Sequence, residues 1–152
     1  MPTTPASISP SRTPESLHEL MQASGLAPLV LRGRHLLLVG GGYGVAPLHF
    51  LARAALAAGA QVSVVIGART AADLLFMDRF AALGVPVITT TDDGSAGRPG
   101  LVTAGVEHLL ATATTPIDQL AACGPGPMLT ALERLAAVHH LPAQLSWENR
   151  MR

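Results

Sequence analysis

His35-Leu36-Leu37-Leu38-Val39 runs straight into Gly40-Gly41-Gly42-Tyr43-Gly44-Val45-Ala46-Pro47, where a helical pattern opens. A short apolar run bounded by glycine reads as a buried strand, and the glycines as a tight strand-to-helix turn. Far downstream, Cys123-Gly124-Pro125-Gly126-Pro127-Met128 repeats the arrangement of strand, turn and helix start. One glycine-rich turn says little about any nucleotide. Two in one small α/β domain point to a dinucleotide clamp, the first turn taking the pyrophosphate and the second the nicotinamide end.

Outward from these turns the pattern is regular. Strands are predicted over His35–Gly40, Gln61–Gly67, Val85–Thr90, Gln119–Cys123 and Ala143–Trp147. Helices are predicted over Ala46–Ala58, Ala71–Leu83, Leu101–Ala111 and Pro127–His139, with Gly59 and Gly84 closing the first two. Strands alternating with helices imply right-handed crossovers and a parallel sheet. The expected fold is α/β: a doubly wound five-stranded parallel sheet with helices on both faces, Rossmann-like. Such sheets bind ligands beyond the carboxyl ends of their strands, where both special turns lie. Residues 1–30 read as a Pro/Ser/Thr-rich disordered lead-in followed by a short helix, and 31–152 as the nucleotide-binding domain.

Composition narrows the classes. The chain is 49% hydrophobic with 3% aromatics, which suits a buried parallel sheet under Ala-rich helices. Its formal net charge is +0, which favours neither a nucleic-acid partner nor an acidic membrane surface. All 10 basic residues are Arg, so Schiff-base and P-loop lysine chemistry are excluded. Cys123 is the only cysteine, which rules out an internal disulfide and a cluster of thiolate ligands from this chain alone. The six histidines lack metal-ligand spacing, and no metal site is expected. No apolar run approaches the roughly 20 residues of a membrane helix, so a soluble cytoplasmic protein is expected.

Each candidate residue has a plainer reading beside it. Gly40-x-Gly42-x-x departs from the usual dinucleotide fingerprint because Val45 stands where Gly or Ala is needed, and read from Gly42 the stretch is Gly42-x-Gly44-x-x-Pro47. Its glycines let a backbone approach phosphate, or they make a turn and nothing more. Strand two ends Ile66-Gly67-Ala68-Arg69 with no acid for a ribose diol. Arg69 suits adenine stacking or a phosphate, or is a solvated helix start. Asp92-Asp93-Gly94 is a turn signal whose carboxylates suit acid–base work, a magnesium ion or ribose hydroxyls. The Cys123 thiol reads as a nucleophile, as a contact to nicotinamide, or as a small buried residue.

Taken in order, Gly40–Pro47, Gly67-Ala68-Arg69, Thr91–Ser95, Cys123–Met128 and Ala143–Met151 resemble the nucleotide domain of ferredoxin–NADP reductase-like proteins. Within that superfamily they look most like the electron-transfer subunit of dihydroorotate dehydrogenase. The resemblance covers residues 33–152. It implies NAD(H) binding, with the nicotinamide docked against an FAD held on a β-barrel, and a 2Fe–2S cluster on a cysteine-rich segment. It also implies a flavin-bearing domain or subunit and a dehydrogenase catalytic subunit as partners. By resemblance, Gly42, Tyr43, Gly44, Val45 and Pro47 line the pyrophosphate and nicotinamide, and Arg69 meets adenosine. Asp92 and Asp93 border the ribose. Cys123, Gly124, Pro125 and Met128 sit under the nicotinamide, and Glu148 lies on the flavin side. Neither the barrel nor the cluster cysteines are in this sequence, so the chain is expected to bind nucleotide without the centre that exchanges hydride.

Three readings remain open: the nucleotide half of a flavin-dependent oxidoreductase, a non-enzymatic nucleotide-binding or partner-docking module, and a small α/β enzyme using Cys123. NAD against NADP is also open, since Arg69 suits a 2′-phosphate but has no basic neighbour to complete a pocket. Surface near Tyr43, Met128 and Trp147 that a barrel would cover predicts self-association.

Overall fold

The computed structural model describes residues 33–147. The lead-in and short helix expected before them, and Glu148, lie outside the described residues. The central strand β1 (His35–Gly41) pairs in parallel with β2 (Gln61–Ala68) on one side and β5 (Gln119–Gly124) on the other. β3 (Val87–Thr91) and a two-residue β4 (Arg98–Pro99) extend the β2 side, and β6 (Ala143–Trp147) extends the β5 side. The order is β4-β3-β2-β1-β5-β6, and every pairing is parallel.

Both faces of β1 are buried, and alternation decides which residue goes where. Leu36 and Leu38 pack with Leu48, Leu51 and Ala55 of α1 (Val45–Ala57) and with Phe80 of α2 (Met77–Ala82). Leu37 and Val39 pack with Val106 and Leu109 of α3 (Val102–Thr112) and with Leu129 and Leu132 of α4 (Gly126–Val138). A continuous apolar strand is what a doubly covered parallel sheet requires. At the amino end of the sheet, the His35 N–H donates to Asp118 Oδ2 at 2.8 Å. His35 Nδ1 faces the Thr115 carbonyl at 3.1 Å, so Nδ1 carries the proton and Nε2 accepts from the Ser63 hydroxyl at 2.8 Å. This buried network ties β1 to β2 and β5 far from the glycine turns.

Two expectations need correction. The sheet has six strands, not five, because Arg98 and Pro99 pair with Thr90 and Thr91. A two-residue edge strand holding a proline has no periodicity to read. The continuous helix expected over Ala71–Leu83 is broken. Ala71–Asp73 forms a 3-10 turn, Leu74 is extended, Phe76 is left-handed at φ 65°, and α2 begins at Met77. Tertiary contacts override the helical composition here. Leu74 and Phe76 pack against the core under α1, and the Ala71 N–H donates to Ser95 Oγ at 2.7 Å.

Candidate functional site

The chain leaves β1 toward β2 on one side of the sheet and reaches β5 on the other, so the ends of β1 and β5 mark the switch point. A cavity of about 640 Å³ opens there. Gly41, Gly67 and Thr90, from the ends of three strands, form its floor. Arg69, Asp73, Leu75 and Asp92 form one wall, from the loops after β2 and β3. The starts of two helices complete the lining: the N-cap Leu101 with Val102 and Thr103 of α3, and the N-cap Pro125 with Pro127 and Met128 of α4.

The absence of side chains shapes this floor. A Cβ on Gly41 would stand 2.8 Å from Met128 Sδ, and one on Gly124 would stand 2.6 Å from Met128 Cε. Met128 therefore lies across both strand ends in space that the two glycines vacate. A Cβ on Gly67 would collide with Val102. Thr90 is 0% exposed, and among the described residues its Oγ1 is the one buried side-chain oxygen without a hydrogen-bond partner. Glycine strand ends beside an orphaned hydroxyl fit a polar ligand that approaches closely.

The predicted residues divide. Gly42, Arg69, Asp92, Pro125 and Met128 line the cavity, and Gly124 supports Met128 from beneath. Val45 is 1% exposed, in the core under α1. Gly44 packs on the backbone of Cys123, where a Cβ would collide with the carbonyl group. Pro47 and Cys123 line a separate hollow of about 30 Å³ with Leu48 and Leu51. Cys123 is 8% exposed and belongs to the α1 face of the sheet. Tyr43 stands in the 3-10 turn Gly42–Gly44 that leads into α1.

Asp93 is occupied by its own loop. Its Oδ1 accepts from the Ser95 hydroxyl at 2.6 Å and the Ser95 N–H at 2.9 Å. These bonds hold its carboxyl below the ordinary value of 3.8. Because Ser95 Oγ also receives the Ala71 N–H, Asp93 stitches the loop after β3 to the loop after β2. Sequence reasoning passed over Thr90, Asp73, Leu75, Leu101 and Thr103. Asp73 and Leu75 follow β2, Thr90 lies near the end of β3, and Leu101 and Thr103 open α3, so their place at the carboxyl end of the sheet was the available signal. Among the described residues no group of three His, Cys, Asp or Glu is placed to hold a metal. No described helix is long and apolar enough to cross a membrane.

A curated relative from Methanothermobacter thermautotrophicus, named "Probable dihydroorotate dehydrogenase B (NAD(+)), electron transfer subunit", is 46% identical over 122 residues, 80% of this chain and 44% of its own. The corresponding subunit from Caldanaerobacter subterraneus is 36% identical over 122 residues, 80% of this chain and 46% of its own. The chain thus spans less than half the length of these relatives. A solved NADH-dependent reduced ferredoxin–NADP oxidoreductase superposes with a TM-score of 0.66 at 33% identity, covering 79% of this chain and 43% of its own. Residues 38–134 match the family described as the oxidoreductase NAD-binding domain. That stretch runs from β1 into α4 and takes in every strand that floors the cavity, and the chain belongs to this family.

Proposed function

We propose that the chain binds NAD(H) across the large cavity and positions the nicotinamide for hydride exchange with an FAD held by another domain or subunit. The observation that carries this reading is the place of the cavity, at the switch point and floored in part by the glycine ends of β1 and β2. Nicotinamide supplies two-electron hydride chemistry when bound, and the chain's residues supply placement. Arg69, Asp73 and Asp92 take the adenosine side. Gly42, Pro125 and Met128 take the nicotinamide side, with Gly124 keeping Met128 low enough to leave room. Cys123 backs that strand end from the α1 face and acts through packing. A thiol this enclosed is poorly placed to attack a substrate.

The relatives are electron transfer subunits of dihydroorotate dehydrogenase B (NAD(+)), and this chain takes the same role. Its partners are then a flavin-bearing domain or subunit and a dehydrogenase catalytic subunit. The carboxylates of Asp73 and Asp92 on the adenosine wall oppose a 2′-phosphate, so NAD is preferred over NADP. Calorimetric titration of the 152-residue chain with NADH and then NADPH tests the reading. Tighter binding of NADH is expected. Failure of both nucleotides to bind would end it.

A further inference from the structure

We propose that the Thr90 hydroxyl and the first turn of α3 form a subsite for a phosphodiester oxygen in the floor of the cavity. The proposal rests on the nucleotide reading above and names the group seated at a position that reading leaves unassigned. Thr90 and Thr91 are neighbours, each 0% exposed, and only one hydroxyl is satisfied. Thr91 Oγ1 donates to the Ala96 carbonyl at 2.7 Å and receives the Ala96 N–H at 3.2 Å. Thr90 Oγ1 has no partner. Its orientation follows from the glycines around it. Thr90 Cγ2 lies 3.0 Å from where a Cβ on Gly105 would stand, so the methyl faces α3. Thr90 Oγ1 lies 2.9 Å from where a Cβ on Gly67 would stand, and Gly67 is itself in the cavity floor.

The start of α3 reaches the same floor. Leu101, Val102 and Thr103 line the cavity, and α3 runs for 11 residues from Val102. Its N-cap Leu101 is extended, no side chain caps it, and its first turn holds no acid. The first N–H groups of a helix lack the usual acceptor, and the field there favours an anion. In α3 the Ala104 N–H already donates to the Leu101 carbonyl at 3.0 Å, which leaves those of Val102 and Thr103. The other two helices that begin near the site are less available. The N-cap of α1, Gly44, rests on the backbone of Cys123, and Val45 enters the core. In the first turn of α4, Pro127 removes one N–H.

An anionic acceptor therefore meets the Thr90 hydroxyl and the Val102 and Thr103 amides, in a cavity that Arg69 also lines. Asp73 and Asp92 share the Arg69 wall and oppose a terminal, doubly charged phosphate. A singly charged diester, as in the pyrophosphate of a dinucleotide, meets less of that repulsion and keeps the hydrogen bonds.

The test uses the full chain with NADH, ADP-ribose and adenosine as calorimetric ligands and with Thr90→Val and Thr90→Ser as variants. ADP-ribose carries the diphosphate diester without a terminal phosphate. Valine keeps the volume and removes only the unpaired hydroxyl, so its melting temperature should equal or exceed that of the parent. Thr90→Val should bind NADH and ADP-ribose roughly tenfold more weakly and adenosine unchanged, with Thr90→Ser close to the parent. Unchanged NADH and ADP-ribose affinity in Thr90→Val would overturn the subsite while leaving the nucleotide reading intact. A loss shared by adenosine would move the contact to the sugar or base and overturn the phosphate assignment. Equal losses in both variants would make the role one of packing and overturn the hydroxyl's part in it. In the parent chain, adenosine binding as tightly as ADP-ribose would also overturn it, without recourse to any variant. A parent chain that binds neither NADH nor ADP-ribose would remove the nucleotide reading and the subsite together.

Discussion

Gly41 and Gly44 belong to one turn and need to be glycine for different reasons. A Cβ on Gly44 meets the backbone of Cys123, which cannot move without disturbing β5. A Cβ on Gly41 meets Met128 Sδ at 2.8 Å, the end of a flexible side chain. Gly44→Ala should therefore cost about 1–3 kcal/mol in a denaturant melt. Gly41→Ala should melt close to the parent but bind NADH more weakly, because Met128 is pushed into the cavity. The adjacent acids differ in the same way. Asp92 lines the cavity, so Asp92→Asn should narrow the preference for NADH over NADPH with little change in stability, read by parallel titrations. Asp93 holds Ser95, and its lowered pKa gives the sign of its pH effect. Its contribution is present above 3.8 and is lost as pH falls through the lower value it has in the fold. Asp93 is exposed, so that contribution is small.

At the level of elements, the connection from β2 to α2 is the segment on which sequence and structure differ most. Ala71-Ala72-Asp73-Leu74-Leu75 has helical composition, yet it spreads along the cavity wall. Its far end is anchored by aromatic contacts. The His49 ring of α1 meets Phe76 and Phe80 edge-on, with centroids 5.8 and 5.2 Å away. The Arg79 guanidinium lies 4.6 Å above the Phe76 ring. Burial among these groups lowers the His49 pKa below 6.5. The Arg53 and Arg79 charges add to the shift, against a backbone hydrogen bond to Arg79. The fold thus holds the neutral imidazole, and the unfolded chain takes up the proton first as pH drops. Melting temperature should fall as pH passes below 6.5 and level off once the folded form protonates. His49→Gln should flatten that part of the profile, and an unaltered slope would remove His49 as its cause. No local pattern marks this anchor, because α1 and the loop meet only after β1 and β2 pair.

For the whole molecule, one sheet with two buried faces means that stability and binding share the same strands. Leu38 is 0% exposed at the centre of β1, and Leu38→Ala should cost about 2–5 kcal/mol in a denaturant melt. Ligand linkage works in the opposite direction. NADH at a hundredfold excess over its Kd should raise unfolding stability by about 2.7 kcal/mol if only the folded chain binds it. A melt that does not respond to saturating NADH would contradict NADH binding in a cavity built from the ends of β1, β2 and β3.

The strand and helix order, the parallel sheet and the carboxyl-end position of both glycine turns were legible in the chain, because periodicity, glycine and proline act locally. The resemblance of the ordered motifs added the nucleotide and the family. Which turn residues reach the cavity was decided only by tertiary structure. Gly40 pairs with Cys123 and Ile66 with Thr89, and these registers bring Gly41, Gly67, Thr90 and Met128 together from distant parts of the chain. Alternation then sends each side chain to one face, so a shift of one residue exchanges core for cavity. Cys123 thus faces α1, where Val45 of that helix joins the same core, and Thr90 faces α3. Arg69 and Asp92, past the ends of β2 and β3, are free to line the cavity.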